Sequence, residues 1–326
     1  MNANAVKTEP LVKVNNLVKY FPVKKGYLKP ASLVKAVNNV SLAMYEGETY
    51  GMVGESGCGK STTGRMILRL IEPTDGEVFY QGQNILKMPE EDLRKTRKDM
   101  QIVFQDPFSA LNPRQRVGEA IYEPLDIFQI GTKEERKERV FDLLQRVGLQ
   151  AEHYEKYPHE FSGGQRQRIV LARALAVRPK FIVCDEAVSA LDVSTQSQII
   201  NLLEKIQDDF QLTYLFIAHN LSVVRHISDR IGVMYLGYLV EEAATDCLFA
   251  DPRHPYTKAL LSAIPQPNPE RKRERIRLTG DVPSPLNLPP GCVFHTRCRF
   301  AKPVCSEQVP ELKPVAEGHK VACHLF

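Results

Sequence analysis

The residues best suited to chemistry form a glycine-rich stretch, GESGCGKST, at positions 54–62. The stretch fits the pattern G-x-x-x-x-G-K-[ST]. It lies between an apolar segment typical of a buried strand and a segment with helical periodicity. Its glycines let the backbone turn so that N–H groups face inward around phosphate oxygens. A glycine-rich turn without a ligand is the alternative, but the flanking strand and helix favour a phosphate-binding loop.

The polar side chains of this loop have expected tasks. Lys60 is long enough to reach the β- and γ-phosphates of a nucleotide, and the Ser61 hydroxyl can ligate Mg²⁺. The N-terminus of the following helix adds a dipole that favours an anion. Cys58 is interpreted as a small residue that the loop tolerates. The residues predicted to contact the nucleotide are Gly54, Glu55, Ser56, Gly57, Cys58, Gly59, Lys60, Ser61 and Thr62.

A second candidate is the apolar run FIVCDE, which ends in Asp185 and Glu186. Open α/β sheets bind ligands at the carboxyl ends of their strands, so Asp185 is placed to hold Mg²⁺ through a water. Glu186 would then orient and polarise an attacking water. Alone, the run is equally consistent with a strand that enters a polar loop. Together with the phosphate-binding loop, it favours a nucleotide hydrolase.

A third candidate is FSGGQRQR, at positions 161–168. Ser162 is predicted to cap a helix whose first residues are glycines, and such an exposed helix N-terminus binds anions. An ordinary helix cap without a ligand is the alternative. The motif resembles the signature motif of the ABC ATPases, with Phe161 where Leu is common. The resemblance implies contact with the γ-phosphate bound by an opposite subunit, through Ser162, Gly163, Gly164 and Gln165.

The resemblance also implies roles for residues that composition alone does not single out. Phe21 matches the aromatic residue that stacks on adenine, with Tyr20 as an alternative. Gln105 matches the glutamine that touches Mg²⁺ and links the site to a helical insert, and His219 matches the histidine that contacts the γ-phosphate. SALD, at 189–192, matches the D-loop. The implied catalytic residues are Glu186, His219 and Gln105, and the implied Mg²⁺ ligands are Ser61, Gln105 and Asp185.

The elements that must position these residues alternate between strands and helices. Two β-rich segments come first, and apolar strands then alternate with helical segments, a pattern that predicts a mainly parallel α/β sheet. The fold class expected is an ABC-type P-loop nucleotide-binding domain with a β-rich N-terminal subdomain. We expect this ATPase domain at 1–262, with a helical insert at about 106–173. A small cysteine-containing extension is expected at 263–326, where proline density rises.

Composition limits the class of protein. The chain has 326 residues, of which 43% are hydrophobic and 25% charged, as in soluble globular proteins. Its net charge of +4 is too small to imply a nucleic-acid partner. The N-terminus does not read as a secretory signal, and no stretch approaches the roughly 18 apolar residues of a membrane span. We therefore expect a cytosolic protein with reduced thiols.

Four further segments indicate which group of ABC ATPases the chain resembles. They read EPLVKVNNLVKYFPVKKG, VFQDPFSALNPRQRVG, DPRHPYTKALLSAIP and LPPGCVFHTRCRFAKPVC, and they resemble the second, F-type ATPase of the oligopeptide/dipeptide permeases. Two positions depart from that family. Ala187 stands where the family has proline, which loosens the loop after Glu186, and AHNLSVV stands where SHDLSVV is usual.

This resemblance implies a subunit that hydrolyses ATP to power the import of oligopeptides or dipeptides. The implied partners are a D-type ATPase in a heterodimer, two transmembrane permease subunits and an extracytoplasmic peptide-binding protein. The implied location is peripheral, on the cytoplasmic side of the cell membrane. The same machine with another cargo, such as nickel or a glycan, is one alternative. A non-transport ABC ATPase is the other.

Four cysteines lie close to the C-terminus, at Cys292, Cys298, Cys305 and Cys323. Four thiolates can hold a 4Fe–4S cluster or a structural zinc, and this segment is too poor in periodic apolar residues to fold around a core of its own. Unliganded thiols or a disulfide pair are the alternatives. The permease ATPases resembled here carry an iron–sulfur cluster in this extension, so the resemblance implies 4Fe–4S ahead of zinc.

Overall fold

The computed structural model describes residues 9–23, 32–264 and 276–326. The chain divides into two compact units. The phosphate-loop unit contains the described residues of 1–44, 49–86 and 218–326, and the helical unit contains residues 45–48 and 87–217. The phosphate-loop unit is therefore assembled from three separate stretches of chain, the last of which includes the cysteine-containing extension.

The strands and helices of the described residues are numbered here in chain order. The strands are β1 (Val12–Val23), β2 (Ser32–Met44), β3 (Thr49–Val53), β4 (Asp75–Tyr80), β5 (Gln83–Asn84), β6 (Met100–Val103), β7 (Phe181–Asp185), β8 (Thr213–Ala218), β9 (Arg230–Tyr235), β10 (Tyr238–Ala244), β11 (Lys313–Ala316) and β12 (His319–Val321). The helices are α1 (Lys60–Ile67), α2 (Glu90–Thr96), α3 (Pro107–Ala110), α4 (Val117–Ile127), α5 (Lys133–Arg146), α6 (Gly163–Leu175), α7 (Val193–Phe210), α8 (Leu221–Ile227), α9 (Thr245–Ala250) and α10 (Pro255–Ser262).

The N-terminal β-rich segments form an antiparallel sheet in the phosphate-loop unit, in the order β2-β1-β4-β5. Val12 and Val14 are buried while Lys13 between them is exposed, the alternation expected of a strand with one face on the core. This sheet is joined to the next by Asn38, whose backbone N–H donates to the carbonyl oxygen of Gly237 at 2.8 Å. The predicted β-rich subdomain is confirmed.

A second set of strands in the phosphate-loop unit follows the order β11-β12-β10-β9-β3. β3 lies parallel to β9, so that Val53 at its carboxyl end pairs with Val233. β9 and β10 form an antiparallel hairpin, and β12 pairs with β10. The extension therefore adds two short strands that the sequence did not predict, because β11 and β12 span four and three residues and show no clear apolar alternation.

The extension is fixed to β10 through a buried carboxylate. Glu241 is fully buried, and its oxygens accept hydrogen bonds from the backbone N–H groups of Arg253 at 2.7 Å and His254 at 3.0 Å. Nε2 of His319, in β12, lies 2.7 Å from the same carboxylate and donates to it. Since a buried carboxylate without partners would be costly, these bonds favour the docked position of β12.

The helical unit combines three strands with the predicted insert. The strands lie in the order β8-β7-β6 and are parallel, and β7 and β8 are buried along their whole length. Such continuous burial is typical of central parallel strands and confirms the α/β class. α3 to α6 follow β6 within the predicted insert, although α6 runs on to Leu175. α2 was not predicted, because Leu93 is its sole buried residue.

α10 begins with an unusual cap. The buried His254 side chain accepts the backbone N–H of Tyr256 through Nδ1 at 3.1 Å, and its ring lies 5.6 Å from the Phe294 ring of the extension. Only 1% of the His254 surface is exposed. Burial disfavours the charged imidazolium and lowers the pKa of His254 to about 3.

This burial predicts a pH-dependent stability. Between pH 6.5 and about 3 the unfolded chain protonates this imidazole while the folded chain does not. The free energy of unfolding should therefore decrease as the pH is lowered through that window. This group contributes up to about 1.4 kcal/mol per pH unit to the decrease. Urea unfolding at pH 5, 6 and 7.5 measures the slope. His254→Asn, which keeps a capping acceptor, should flatten it. The same substitution at the exposed His226 is the control, and an equal slope in both variants would contradict the prediction.

Candidate nucleotide-binding site

The phosphate-binding loop connects β3 to α1 and has little room for side chains at two of its glycines. Gly59 caps α1 with a left-handed backbone, at φ +103°, and an added Cβ would lie 2.2 Å from the carbonyl oxygen of Ala36. An added Cβ at Gly54 would lie 2.2 Å from the carbonyl oxygen of Met234. Glycine is therefore required at both positions for the loop to approach β2 and β9 this closely.

Lys60 holds the loop from within. Only 4% of its surface is exposed, and its ammonium donates to the carbonyl oxygens of Gly54 at 2.9 Å and Glu55 at 3.0 Å. The sulfur of Cys58 lies 3.8 Å from the same nitrogen. Burial raises the pKa of this thiol, although the charge of Lys60 opposes the rise, so Cys58 stays neutral. A small, buried and neutral thiol agrees with its interpretation as a tolerated residue.

The backbone of Glu55 is held from the opposite side by the C-terminal part of the chain. Its N–H donates to the hydroxyl of the buried Tyr256 at 3.0 Å, and its carboxylate pairs with Arg297 of the extension at 3.2 Å. Neither contact was predicted from the sequence. No local pattern reveals them, because the partners are 201 and 242 residues apart in the chain.

The remaining loop residues face outward to different degrees. Ser56 and Gly57 are exposed, whereas Ser61 and Thr62 at the start of α1 are half-buried. Thr63, the next residue, donates through its hydroxyl to the carbonyl oxygen of Gly59 at 3.0 Å and so secures the first turn of α1. The backbone N–H groups of this turn are those that a helix offers to an anion.

Phe21 and His219 also belong to the phosphate-loop unit. Phe21 is half-buried in β1, with the Lys19 ammonium 5.0 Å from its ring centre, and Tyr20 is half-buried beside it. His219 is exposed and directly precedes Asn220, the cap of α8. Asn220, which stands where the family has aspartate, caps α8 by accepting the backbone N–H of Ser222 at 3.0 Å. The departure therefore keeps the cap and, with it, the backbone beside His219.

The paired acids lie at the end of β7 in the helical unit. Asp185 is 3% exposed, and Glu186 is half-buried with a left-handed backbone at φ +52°. The Glu186 N–H donates to the carbonyl oxygen of Ile217 at 3.0 Å, and its carbonyl oxygen accepts from the Ser189 hydroxyl at 2.9 Å. These bonds fix a backbone that a non-glycine residue rarely adopts, even though Ala187 replaces the family's proline.

The signature residues form a reciprocal cap at the start of α6. The Ser162 hydroxyl accepts the Gln165 N–H at 3.3 Å, and the Gln165 side-chain oxygen accepts the Ser162 N–H at 3.0 Å. Ser162 and Gly163 are exposed. Gly164 is buried, and an added Cβ would lie 2.3 Å from the methyl carbon of Thr195. The helix N-terminus is therefore accessible, while Gly164, the second residue of α6, packs against α7.

Gln105 and the D-loop are the remaining predicted site residues of the helical unit. Gln105 is exposed and lies between β6 and α3, whose cap is Asp106. Asp192 caps α7, where its carboxylate accepts bonds from Ser194 and Thr195, and these bonds lower its pKa. The phosphate-loop unit thus carries Phe21, residues 54–62 and His219. The helical unit carries Gln105, residues 162–165, Asp185 and Glu186.

The predicted 4Fe–4S cluster, with zinc as its alternative, is wrong. In the described ranges, no group of three or more His, Cys, Asp or Glu side chains is placed to hold a metal ion. Burial raises the pKa of the Cys292 thiol to about 11 and also raises the pKa values of Cys298 and Cys323. Cys305 is buried, and all seven cysteines of the chain are free.

The extension is stabilised by packing instead of a metal. The Phe294 ring lies edge-on to Tyr235 at 5.2 Å and 5.5 Å from Tyr256, and only 1% of its surface is exposed. The expectation of a metal rested on the four cysteines, on the family resemblance and on the lack of a core within the extension. The last point does not require a metal, because the extension packs on the core of the phosphate-loop unit. Arg297, which directly precedes Cys298, pairs with Glu55.

Comparison with known proteins places this site in a family. A model described as "ABC transporter" matches residues 37–189, and a model described as "Oligopeptide/dipeptide transporter, C-terminal region" matches residues 240–305. The oligopeptide transport ATP-binding protein AppF of Bacillus subtilis is 54% identical, with 99% of each chain covered. The dipeptide transport ATP-binding protein DppF of Escherichia coli is 50% identical over 98% of this chain and 95% of that protein.

Solved structures agree with the fold. The ATP-binding cassette MJ0796, a dimer in a post-hydrolysis state bound to ADP and Pi, matches with a TM-score of 0.64 and 32% identity, over 72% of this chain and 98% of that chain. CbiO1 of Clostridium perfringens matches with a TM-score of 0.64 and 25% identity, over 74% and 91%. Fold and loop together define an ATP-hydrolysing enzyme of the P-loop class.

The chain belongs to the ABC transporter family of ATP-binding proteins, in the group with the oligopeptide/dipeptide C-terminal region. Across the part of the chain that the structure describes, we find no helix with the length and apolarity that crossing a membrane requires.

The geometry of Gly59 predicts a loss of nucleotide binding on substitution. Gly59→Ala forces a Cβ toward the Ala36 carbonyl oxygen and strains the left-handed cap of α1. We expect the affinity for a fluorescent ATP analogue to fall about tenfold or more. Gly82→Ala is the matched control, because Gly82 has φ +77° with no atom within 4 Å of an added Cβ. Unchanged affinity in Gly59→Ala would argue against this loop as the phosphate site.

Proposed function

We propose that this protein is the ATP-hydrolysing subunit of a membrane importer of oligopeptides or dipeptides. The observation that carries the proposal is its 54% identity, over 99% of both chains, to an oligopeptide transport ATP-binding protein. The match to the oligopeptide/dipeptide C-terminal region supports the same substrate class. Neither the alternative cargoes nor a non-transport ATPase gains support from any relative described above.

In this proposal the loop at 54–62 holds the phosphates of ATP. Backbone N–H groups and the first turn of α1 bind phosphate oxygens, and Lys60 exchanges its bonds to the loop carbonyls for bonds to the β- and γ-phosphates. Phe21 stacks on the adenine. The contacts are those that the sequence predicted, and the positions of Gly54, Gly59 and Lys60 in the loop support them.

The protein's oxygen donors suit a magnesium ion. Ser61 offers a hydroxyl, Gln105 an amide oxygen and Asp185 a carboxylate, which are the hard ligands that Mg²⁺ prefers. These three residues would hold the ion, Asp185 through a water. When bound, Mg²⁺ neutralises charge on the β- and γ-phosphates.

Glu186 acts on water in this mechanism. Its carboxylate accepts a hydrogen bond from a water and aims the oxygen at the γ-phosphorus. The bond from that phosphorus to the bridging oxygen of ADP breaks as the new P–O bond forms, and the proton of the water passes to the Glu186 carboxylate. His219 donates a hydrogen bond to the γ-phosphate. The bonds of the Glu186 backbone to Ile217 and Ser189 support a fixed position for its side chain.

A second chain completes the site. The exposed N-terminus of α6, with Ser162 and Gly163, is suited to a γ-phosphate bound by another subunit. We propose a D-type ATPase as that subunit, two transmembrane permease subunits above the pair, and an extracytoplasmic peptide-binding protein. The location proposed is peripheral, at the cytoplasmic side of the membrane.

The proposed role of Glu186 predicts that Glu186→Gln binds ATP but hydrolyses it at least about 100-fold more slowly. The amide keeps the shape of the side chain but loses the charge that polarises water. Single-turnover hydrolysis in the assembled transporter and binding of a fluorescent ATP analogue measure the two effects. Glu160→Gln, an exposed glutamate of the same unit, is the control. Wild-type turnover by Glu186→Gln in its own site would refute the role.

The shared site predicts that the isolated chain hydrolyses ATP poorly. Addition of the partner ATPase and the membrane subunits should raise the rate, and Ser162→Ala in this chain should slow hydrolysis at the partner's bound nucleotide. Peptide-dependent ATPase activity in liposomes with the binding protein then tests the cargo class. Full turnover by a strictly monomeric preparation would contradict the arrangement.

A further inference from the structure

Glu55 places a carboxylate in a loop that must attract a polyanion. It is the only acidic residue among positions 54–62, where the other charged side chain is Lys60. An unpaired carboxylate beside bound phosphates would repel them, because like charges interact strongly where protein excludes water. The structure gives this carboxylate a cationic partner from the extension.

The partner is Arg297. One of its terminal guanidinium nitrogens lies 3.3 Å from Oε1 and 3.2 Å from Oε2 of Glu55, so both carboxylate oxygens accept from it. The Arg297 side chain is 9% exposed and that of Glu55 28%. A pair this sheltered is screened less by salt than the exposed pairs of the chain.

Arg297 is itself held in place. The same nitrogen donates to the Tyr235 hydroxyl at 3.3 Å, and its guanidinium lies 6.0 Å from the centre of that ring. Phe294, one helical turn earlier, packs edge-on against Tyr235 at 5.2 Å. These contacts anchor the extension on β9, the strand that pairs with β3. The Arg297 guanidinium therefore faces the phosphate-binding loop.

The peptide between Gly54 and Glu55 is held on both sides. Its carbonyl oxygen accepts from Lys60 at 2.9 Å, and its N–H donates to Tyr256 at 3.0 Å. Because the N–H and C=O of a planar trans peptide point in opposite directions, these bonds fix its orientation. The Arg297 pair then fixes the side chain of the same residue, Glu55, and cancels its charge.

We propose that Arg297 is a positioning residue for nucleotide binding, which turns the Glu55 carboxylate away from the phosphates and neutralises it. The C-terminal extension is then part of the nucleotide site, although it contributes no atom to the nucleotide contacts. The inference rests on the proposed phosphate site at 54–62. Its effect falls on the affinity for ATP, and the chemical step at Glu186 is untouched.

The test is a double-mutant cycle in the full-length chain, read by binding of a fluorescent ATP analogue. Arg297→Met should weaken binding about fivefold to tenfold, because it leaves the Glu55 carboxylate unpaired. Glu55→Gln removes the carboxylate itself, and its affinity is the reference for the double variant. In the double variant the uncharged side chain has nothing to repel, so binding should return to within about twofold of Glu55→Gln. The defect of Arg297→Met should also shrink as salt is raised.

Arg299→Met is the matched control, since Arg299 is exposed and stacks on Phe300 at 4.8 Å in the same segment. It should bind as the wild type does. In the assembled transporter, Arg297→Met should raise KM with kcat nearly unchanged, and Arg297→Lys should recover much of the loss. Urea unfolding shows whether each variant folds. If Arg297→Met folds poorly, the affinities of Arg297→Lys and of the double variant still test the proposal.

Two outcomes would overturn the proposal. Equal affinity of Arg297→Met and Arg299→Met would show that the pair does not affect the phosphates, and a defect that persists in the double variant would show a purely structural role. Lys60→Ala tests the underlying site separately. If that variant binds the analogue as well as the wild type, the phosphate site itself is wrong, whatever the behaviour of Arg297.

Discussion

The bonds that Lys60 makes inside its own loop set the direction of the loop's peptide groups. The ammonium is buried, so it needs partners, and the carbonyl oxygens of Gly54 and Glu55 supply them. Carbonyl oxygens drawn toward Lys60 turn the N–H groups of the same peptides the other way. The loop is therefore shaped before a nucleotide arrives, and such preorganisation lowers the cost of binding.

This arrangement depends on residues far along the chain. Gly54 and Gly59 approach the carbonyl oxygens of Met234 and Ala36 so closely that the loop takes its shape from β9 and β2. Tyr256 and Arg297 then hold Glu55 from α10 and the extension. Glu241, buried in β10, secures that part of the chain by accepting from His254 and His319. Phe294 stabilises the same part of the chain through its ring contacts with Tyr235 and Tyr256.

The sequence predicted those parts of the fold whose signal is local. β3 and β7 are apolar runs, the loop at 54–62 is a contiguous pattern, and α5 repeats buried residues such as Val140 and Leu144 at helical spacing. β11 and β12 were missed because they are short and gain stability by pairing with β10. One argument for a metal failed for a related reason, since it considered the composition of the extension and not the surface on which the extension packs.

The candidate site also has parts that the sequence predicts and parts that it does not. Residues 54–62, 162–165, Asp185 and Glu186 stand in contiguous motifs, so their residue types and spacing could be recognised. The left-handed backbone of Glu186 and the capping box of Ser162 add detail that agrees with those motifs. The contacts of Glu55 with Tyr256 and Arg297 join residues more than 200 positions apart, and a single sequence holds no signal for such a pair.

The division of the phosphate-loop unit among three stretches of chain has a consequence for biosynthesis. β3 leaves the ribosome early, yet its parallel neighbour β9 begins only at Arg230. The strand of the extension that pairs with β10 is β12, which ends at Val321. The helical unit, in contrast, is complete once Ile217 has emerged. All residues of the helical unit are therefore available before β9 is made, while β3 emerges well before the parallel strand that pairs with it. A nascent chain cut short before β12 lacks the bond from His319 to Glu241, so this buried carboxylate has one partner fewer until β12 is made.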